Sequence, residues 1–437
     1  MLVICSMIFL DKEMASKGAG CMSHLDFVCG YEDVKAELIR IRNVLYNSDE
    51  FEKFGVGDLP HGLLLYGDHG MGKTLMAECF IKECDLPVFA ISKEEPDCDV
   101  VNEIRCAFAE AKNTGKAIVF LDNLDDDADA NVYAVLKACM DDCQKAGVFV
   151  FAIANDKDNI PDYLLRYGRF DKAIELDNPT AEDTEKILNC YLSQNNCAAD
   201  VDVKEIAGIM RGNSCADLVM VVNEAAIYAC ENERKEITQE DLIRACLRKI
   251  FDTPEKVTQG NNMELLEATV HEAGHAVVAE IFSPGIVAVT SVRGQSGNCE
   301  GVTALKDADN DSGSKMEAME HLIIRGLAGK AAIEIVLGRV DMGCASDLSI
   351  AFHRVERMVD NLCAFGFETY EGPQSSEAVR AKKEQLIATQ MGMYYKAAKK
   401  ILAEHRTFLD KVTEELMRSK MLRQKDIRKI RDELAVG

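Results

Sequence analysis

The chain has 437 residues, room at roughly 150 residues per domain for about three domains, which excludes peptide-like and small disulfide-stapled classes. Hydrophobic residues make up 48% and charged residues 28%, the balance of a folded globular protein rather than a disordered or fibrous one. Lys and Arg number 50 against 74 Asp and Glu, a net charge of −24 that sets the body against phosphate backbones and anionic lipid, so nucleic acid is not expected as a partner.

In chain order, the opening MLVICSMIFL is apolar but runs into Asp11, Lys12 and Glu13 after ten residues. Crossing a bilayer takes about 20 residues, and neither a basic region nor a small-residue cleavage site marks a leader. Residues 1–25 are therefore read as an N-terminal segment, a buried strand or frayed end, and no membrane span is expected. From Asp26 to Asn178 the short apolar runs GLLLYG, LPVFAIS, AIVFLD and GVFVFAIAN alternate with helical stretches such as Met71–Cys84 and Asp99–Lys112. That βαβα alternation predicts an α/β fold, a parallel sheet with helices on both faces.

Residues 179–250 lose the strand signal, and Pro179 to Glu182, then Thr238 with Glu240 and Asp241, supply helix starts for a small all-α domain. The polar stretch 251–262, with Pro254 and Gly260, reads as a linker, and 263–437 as a mainly helical domain with a β-like segment near 286–305. The seventeen cysteines include no C-x-x-C pair and are odd in number, which fits reduced core thiols in a cytoplasmic protein.

After the strand GLLLY, Gly67-Asp68-His69-Gly70-Met71-Gly72-Lys73-Thr74 fits G-x-x-x-x-G-K-[ST] and opens into a helix. The glycines let successive N–H groups turn inward around phosphates, and the helix N-terminus adds partial positive charge. Lys73 is expected on the β- and γ-phosphates and Thr74 on Mg²⁺. The strand Ala117–Leu121 leads into Asp122, an acid placed for the metal, but the next position, where a Glu usually orients the attacking water, holds Asn123. An amide cannot act as a carboxylate base, and Asp125, Asp126 and Asp127 are displaced along the chain. ATP and Mg²⁺ binding are expected, with hydrolysis left open.

His271-Glu272-Ala273-Gly274-His275 is H-E-x-x-H within the helical pattern TVHEAGHAVVAEIF. Imidazoles at i and i+4 lie on one helix face and can bind one Zn²⁺, and the Glu between them can take a proton from the zinc-bound water. A catalytic zinc needs a third protein ligand. Spacing does not choose it among His24, His61, His69, His321, His353, His405 and the downstream acids, and Asp347 in GCASDLSIA suits a helix-start acid equally well.

The order of these motifs resembles the FtsH-type AAA+ zinc metalloproteases over nearly the whole chain from about Asp26. The resemblance is carried by FVCGYEDVKAEL, GDHGMGKT, AIVFLDNLD, FAIANDKDNIPDYLLRYGRFDK, CADLVMVVNEAAIYA, ATVHEAGHAVVAE and GKAAIEIVLGRVDMGCASDLSIA. It implies an AAA+ nucleotide-binding domain over 26–178, a helical lid over 179–250 and a zinc metallopeptidase domain over 263–437. Asn155 matches the sensor residue that helps place the attacking water. Arg166 and Arg169 match arginine fingers that reach a neighbouring subunit's γ-phosphate, implying a homo-oligomeric ring, in this family a hexamer. Asp347 matches the third zinc ligand, and Val287–Thr303, with Gly301-Val302-Thr303, resembles the strand region where substrate adds as an extended edge strand.

Three features depart from the family. Its membrane-spanning N-terminus has no counterpart, Asn123 replaces Glu, and SKEEPDCDVVNEIR stands without an aromatic where the family has an aromatic loop that grips substrate. The implied activity is an ATP-dependent or ATP-organised zinc endopeptidase acting on polypeptides, with Glu272 as general base and Zn²⁺, ATP and Mg²⁺ as cofactors. The rival expectation is an ATP-binding remodelling or scaffold ring with weak hydrolysis.

Overall fold

A computed structural model describes residues 23–47, 60–91, 100–126, 130–251, 262–293, 301–306, 315–340, 343–367 and 377–436. The apolar opening, residues 252–261 of the linker and all but the last six residues of SKEEPDCDVVNEIR lie outside these residues. Two compact units divide the chain: one runs to Cys197 and takes in Gly212–Glu236, the other joins Ala198–Arg211 to the chain from Ile237 onward.

The first unit contains α1 (Glu32–Tyr46), β1 (Gly62–Tyr66), α2 (Lys73–Cys84), β2 (Val88–Ile91), α3 (Val100–Thr114), β3 (Ala117–Leu121), α4 (Ala130–Cys143), β4 (Val148–Ala154) and β5 (Lys172–Glu175). All five strands are parallel, in the order β2-β3-β4-β1-β5. Successive side chains on a strand point to opposite faces, and both faces are covered here. Leu63, Leu65, Phe149, Phe151 and Ile153 join Met76 and Phe80 of α2 in one core, while Leu64, Val119, Leu121, Val150 and Ala152 join Ile104, Phe108 and Leu136 of α3 and α4 in the other. The expected α/β layering is present, with β5 as a fifth strand that the apolar pattern did not mark: KAIE is four residues long and largely exposed.

Four helices follow, as the loss of strand signal predicted: α5 (Ala181–Leu192), α6 (Val203–Ile209), α7 (Cys215–Glu231) and α8 (Gln239–Phe251). Thr180 caps α5 by accepting from the Asp183 N–H, and Ser214 and Asp217 form a capping box on α7. Helices α5 and α7 belong to the first unit, α6 and α8 to the second.

The second unit continues with α9 (Asn262–Phe282), β6 (Val287–Ser291), β7 (Val302–Leu305), α10 (Lys315–Gly326), α11 (Ala328–Leu337), α12 (Ala345–Asp360), α13 (Glu377–Glu404), α14 (Arg406–Ser419), β8 (Met421–Arg423) and α15 (Gln424–Val436). Its hub is α9, where Val270, Ala273, Ala276, Val277 and Val278 are wholly buried. Gly274 lets α11 come close: a Cβ there would sit 2.6 Å from the Ala328 carbonyl oxygen and 2.6 Å from Ala332 Cβ. The β-like segment is an antiparallel sheet in the order β7-β6-β8, so β7 pairs on one side with β6 and leaves its other edge free among the described strands. The three-residue β8 was not marked by sequence pattern. Among the described residues no helix is long and apolar enough to cross a membrane.

Candidate active site

The phosphate loop leaves β1 and enters α2 as expected. Gly67, Gly70 and Gly72 all have positive φ, +150°, +82° and +89°, a region glycine enters without steric cost. At Gly67 no other residue fits, because a Cβ would lie 2.1 Å from the Leu176 carbonyl oxygen. Met71 is buried and holds the loop to the core, while Asp68, His69 and Thr74 are exposed. The Ala216 N–H in the first turn of α7 donates to the Gly70 carbonyl at 3.0 Å, bracing the loop from behind.

Lys73 is buried and donates to the carbonyls of Gly67 at 2.6 Å and Asp68 at 2.9 Å, and to Asn155 Oδ1 at 3.0 Å. Burial lowers its pKa, and the charges of Asp125, Asp68, Asp122 and Asp126 oppose that fall. Asp122 and Asn155 follow the adjacent strands β3 and β4, and β4 also neighbours β1. Three neighbouring carboxyl ends thus deliver Asp122, Asn155 and the loop to one edge, where ligands bind in open parallel sheets. Asp125 accepts at 2.9 Å from the backbone N–H groups of both Asn155 and Asp156, pinning the end of β4.

Of the two arginines after this sheet, Arg166 is exposed. Arg169 is forked onto Asp141, with Nε to Oδ1 at 2.8 Å and Nη2 to Oδ2 at 3.1 Å, and also donates to the Tyr163 carbonyl.

The second site is built on α9. His271 and His275, one turn apart, meet Asp347 from the first turn of α12. The separations are 3.0 Å between the two Nε2 atoms, 3.1 Å from His271 Nε2 to Asp347 Oδ2 and 3.4 Å from His275 Nε2 to the same oxygen. Ligand bonds of about 2.0–2.1 Å in a tetrahedron put neighbouring donors about 3.3 Å apart. The three donors match a zinc site in both type and spacing, and among the described residues no other set of three His, Cys or acidic groups converges this way.

The Arg325 carbonyl of α10 lies 2.8 Å from His275 Nδ1. A carbonyl can only accept, so Nδ1 carries the proton and the Nε2 lone pair faces the metal position. Burial works against charge on Asp347, but the two imidazoles packed against it outweigh burial and hold the carboxyl well below the usual range. Asp347 is therefore a carboxylate, as a metal ligand must be.

Glu272 lies beside these donors on a cleft of ≈ 700 Å³. Burial pushes its pKa up, opposed by His275, His271 and the Thr303 hydroxyl. Thr303, on β7, donates to Glu272 Oε2 at 2.7 Å. Thr290 Oγ1 on β6 stands 2.5 Å from Thr303 Oγ1, and because a hydroxyl has one proton, Thr290 is the donor in that pair. Gly301 and Gly329 complete the fit: a Cβ on Gly301 would lie 2.6 Å from Glu272 Cγ, and one on Gly329 would lie 2.5 Å from His271 Cε1.

Sequence reasoning did not assign roles to Thr290, Thr303, Gly329 or the Arg325 carbonyl. Thr303 stood in a quoted stretch, but nothing in the spacing links it to a glutamate 31 residues earlier.

A nucleotide-binding parallel sheet and a helix-borne site of two histidines, a carboxylate and a buried glutamate define an ATPase joined to a metallohydrolase. Residues 63–178 match the family described as ATPase family associated with various cellular activities (AAA), 200–244 the AAA+ lid domain, and 261–390 Peptidase family M41. The chain is 31% identical to the ATP-dependent zinc metalloprotease FtsH 2 of Petrotoga mobilis, over 92% of this chain and 70% of that one. It is 30% identical to the ATP-dependent zinc metalloproteases FtsH of Pseudothermotoga lettingae, over 92% and 70%, and of Thermotoga maritima, over 93% and 72%. The chain belongs to the FtsH family of ATP-dependent zinc metalloproteases.

Proposed function

We propose that this chain is a zinc endopeptidase that cuts polypeptides inside a nucleotide-organised ring, with His271, His275 and Asp347 holding Zn²⁺. The observation that carries this is the convergence of those three donors beside Glu272. Zinc bound there supplies Lewis acidity toward the scissile carbonyl and lowers the pKa of the attacking water. Glu272 takes a proton from that water and returns it to the departing amine. Thr303 holds one oxygen of Glu272, which fixes the direction from which the proton is taken. The substrate lies extended along the edge of β7 that no described strand covers, its main chain paired with that of the strand.

ATP occupies Gly67–Thr74, with Lys73 on the β- and γ-phosphates and Thr74 and Asp122 on Mg²⁺. Asn155 helps place the attacking water, and Arg166 and Arg169 serve a neighbouring subunit, which makes the assembly a hexamer of identical chains. Functional modules at 26–178, 179–250 and 263–437 fit this division of labour. We place the protein in the cytoplasm, away from nucleic acid. The net charge of −24 and the free thiols at all thirteen cysteines among the described residues support that placement.

A Glu272→Gln variant tests the reading. It should keep zinc at the wild-type stoichiometry and lose cleavage of an unfolded protein by about 100-fold or more. Cleavage at the wild-type rate would overturn the role of Glu272.

A further inference from the structure

The nucleotide site lacks an acid where hydrolysis needs one, since Asn123 follows Asp122. The backbone turns sharply at this point. Asn123 has φ +50°, a conformation asparagine tolerates better than most residues, and the Asp126 N–H donates to the Asn123 carbonyl at 3.2 Å. Between them Leu124 is buried, and its N–H donates to the Ile153 carbonyl at 2.7 Å. The turn therefore brings Asp126 back to the end of β3 that Asn123 occupies.

Asp126 Oδ1 accepts from Asn155 Nδ2 at 3.2 Å, and Asn155 Oδ1 accepts from Lys73 Nζ at 3.0 Å. One amide thus ties the Asp126 carboxylate to the lysine that meets the γ-phosphate. Asp125 is committed elsewhere, with both oxygens on the backbone N–H groups of Asn155 and Asp156.

We infer that Asp126 is the water-positioning carboxylate of ATP hydrolysis in this chain, replacing the acid absent at position 123. The inference rests on the reading of Gly67–Thr74 as an ATP site. Asp126 accepts a hydrogen bond from a water in line with the γ-phosphorus. The water oxygen bonds to that phosphorus while the bond to the β,γ-bridging oxygen breaks, and ADP leaves with the electron pair. One proton of the water stays on the released phosphate, and the other passes through Asp126 to solvent. Asp126 also belongs to the group of acids whose charges act on Lys73.

The test uses the full-length protein, with affinity for a fluorescent ATP analogue and steady-state phosphate release measured on each variant. Asp126→Asn should lower kcat by about 100-fold while KM for ATP and analogue affinity stay at wild-type values. Asp126→Glu should retain measurable turnover, and Asn123→Glu added to Asp126→Asn should restore it. Wild-type turnover in Asp126→Asn overturns the proposal, as does a wild-type protein that binds the analogue without releasing phosphate. A fall in analogue affinity that parallels the fall in kcat marks a structural role and also overturns it. Failure of the wild type to bind the analogue removes the ATP site itself, and the proposal with it.

Discussion

Glu272 is steered by a side chain on a different element. Thr303 donates to Oε2, Thr290 donates to Thr303, and Gly301 leaves no slack on the far side. A hydrogen bond to a charged group is worth about 1.5–3 kcal/mol, so Thr303→Val, which keeps the shape and removes the donor, should cut kcat for peptide cleavage roughly ten- to hundred-fold. KM and zinc stoichiometry should stay put, and Thr303→Ser should restore most of the rate. Equal losses in the Val and Ser variants would show that the hydroxyl is not what matters. The two catalytic motifs were legible because each is local: eight residues at Gly67–Thr74 and five at His271–His275. Asp347, 76 residues from His271, was open to two readings by spacing and was picked out through family resemblance. Asp126 was passed over because its position beside Asn155 comes from a turn and a strand pairing that no periodicity encodes.

Helix α9 does two jobs, carrying His271 and His275 to the cleft and burying a small-residue face against α11. Gly274 stands at that contact. Replacing a helix-interior Gly with Ala gains about 0.5–1 kcal/mol from backbone entropy, but a Cβ 2.6 Å from the Ala328 carbonyl oxygen overpacks the seam, at a cost of about 1–3 kcal/mol. The clash is with backbone and wins. Gly274→Ala should therefore release zinc at a lower urea concentration than wild type in full-length protein. An unchanged or higher midpoint would mean that α11 yields more easily than its packing indicates. The elements missed in the sequence, β5 and β8, are four and three residues long, too short for alternation to register. The long apolar runs of β1, β3 and β4 were plain because both sheet faces are buried.

For the assembly, the two arginines differ in a way the motif hid. Arg169 is forked onto Asp141 of its own chain, whereas Arg166 stands exposed on the same turn. Arg166 is thus the better placed to reach another subunit's nucleotide. Arg166→Ala should lower ATP turnover by roughly 10³-fold with the mass of the assembly and nucleotide affinity retained, read from phosphate release and sedimentation. Unchanged turnover would leave Arg166 without a role between subunits.

Among the described strands β7 is left unpaired on one side. An edge strand is read through its main chain, and every polypeptide has the same main chain to offer. What it demands is a stretch that is already loose enough to lie flat, several residues long, with its amides unpaired. A cleft that takes its substrate this way would be nearly blind to sequence and attentive to disorder: a well-folded neighbour would pass unharmed, and the same protein would become prey once heat, damage or a missing partner freed a segment of its backbone.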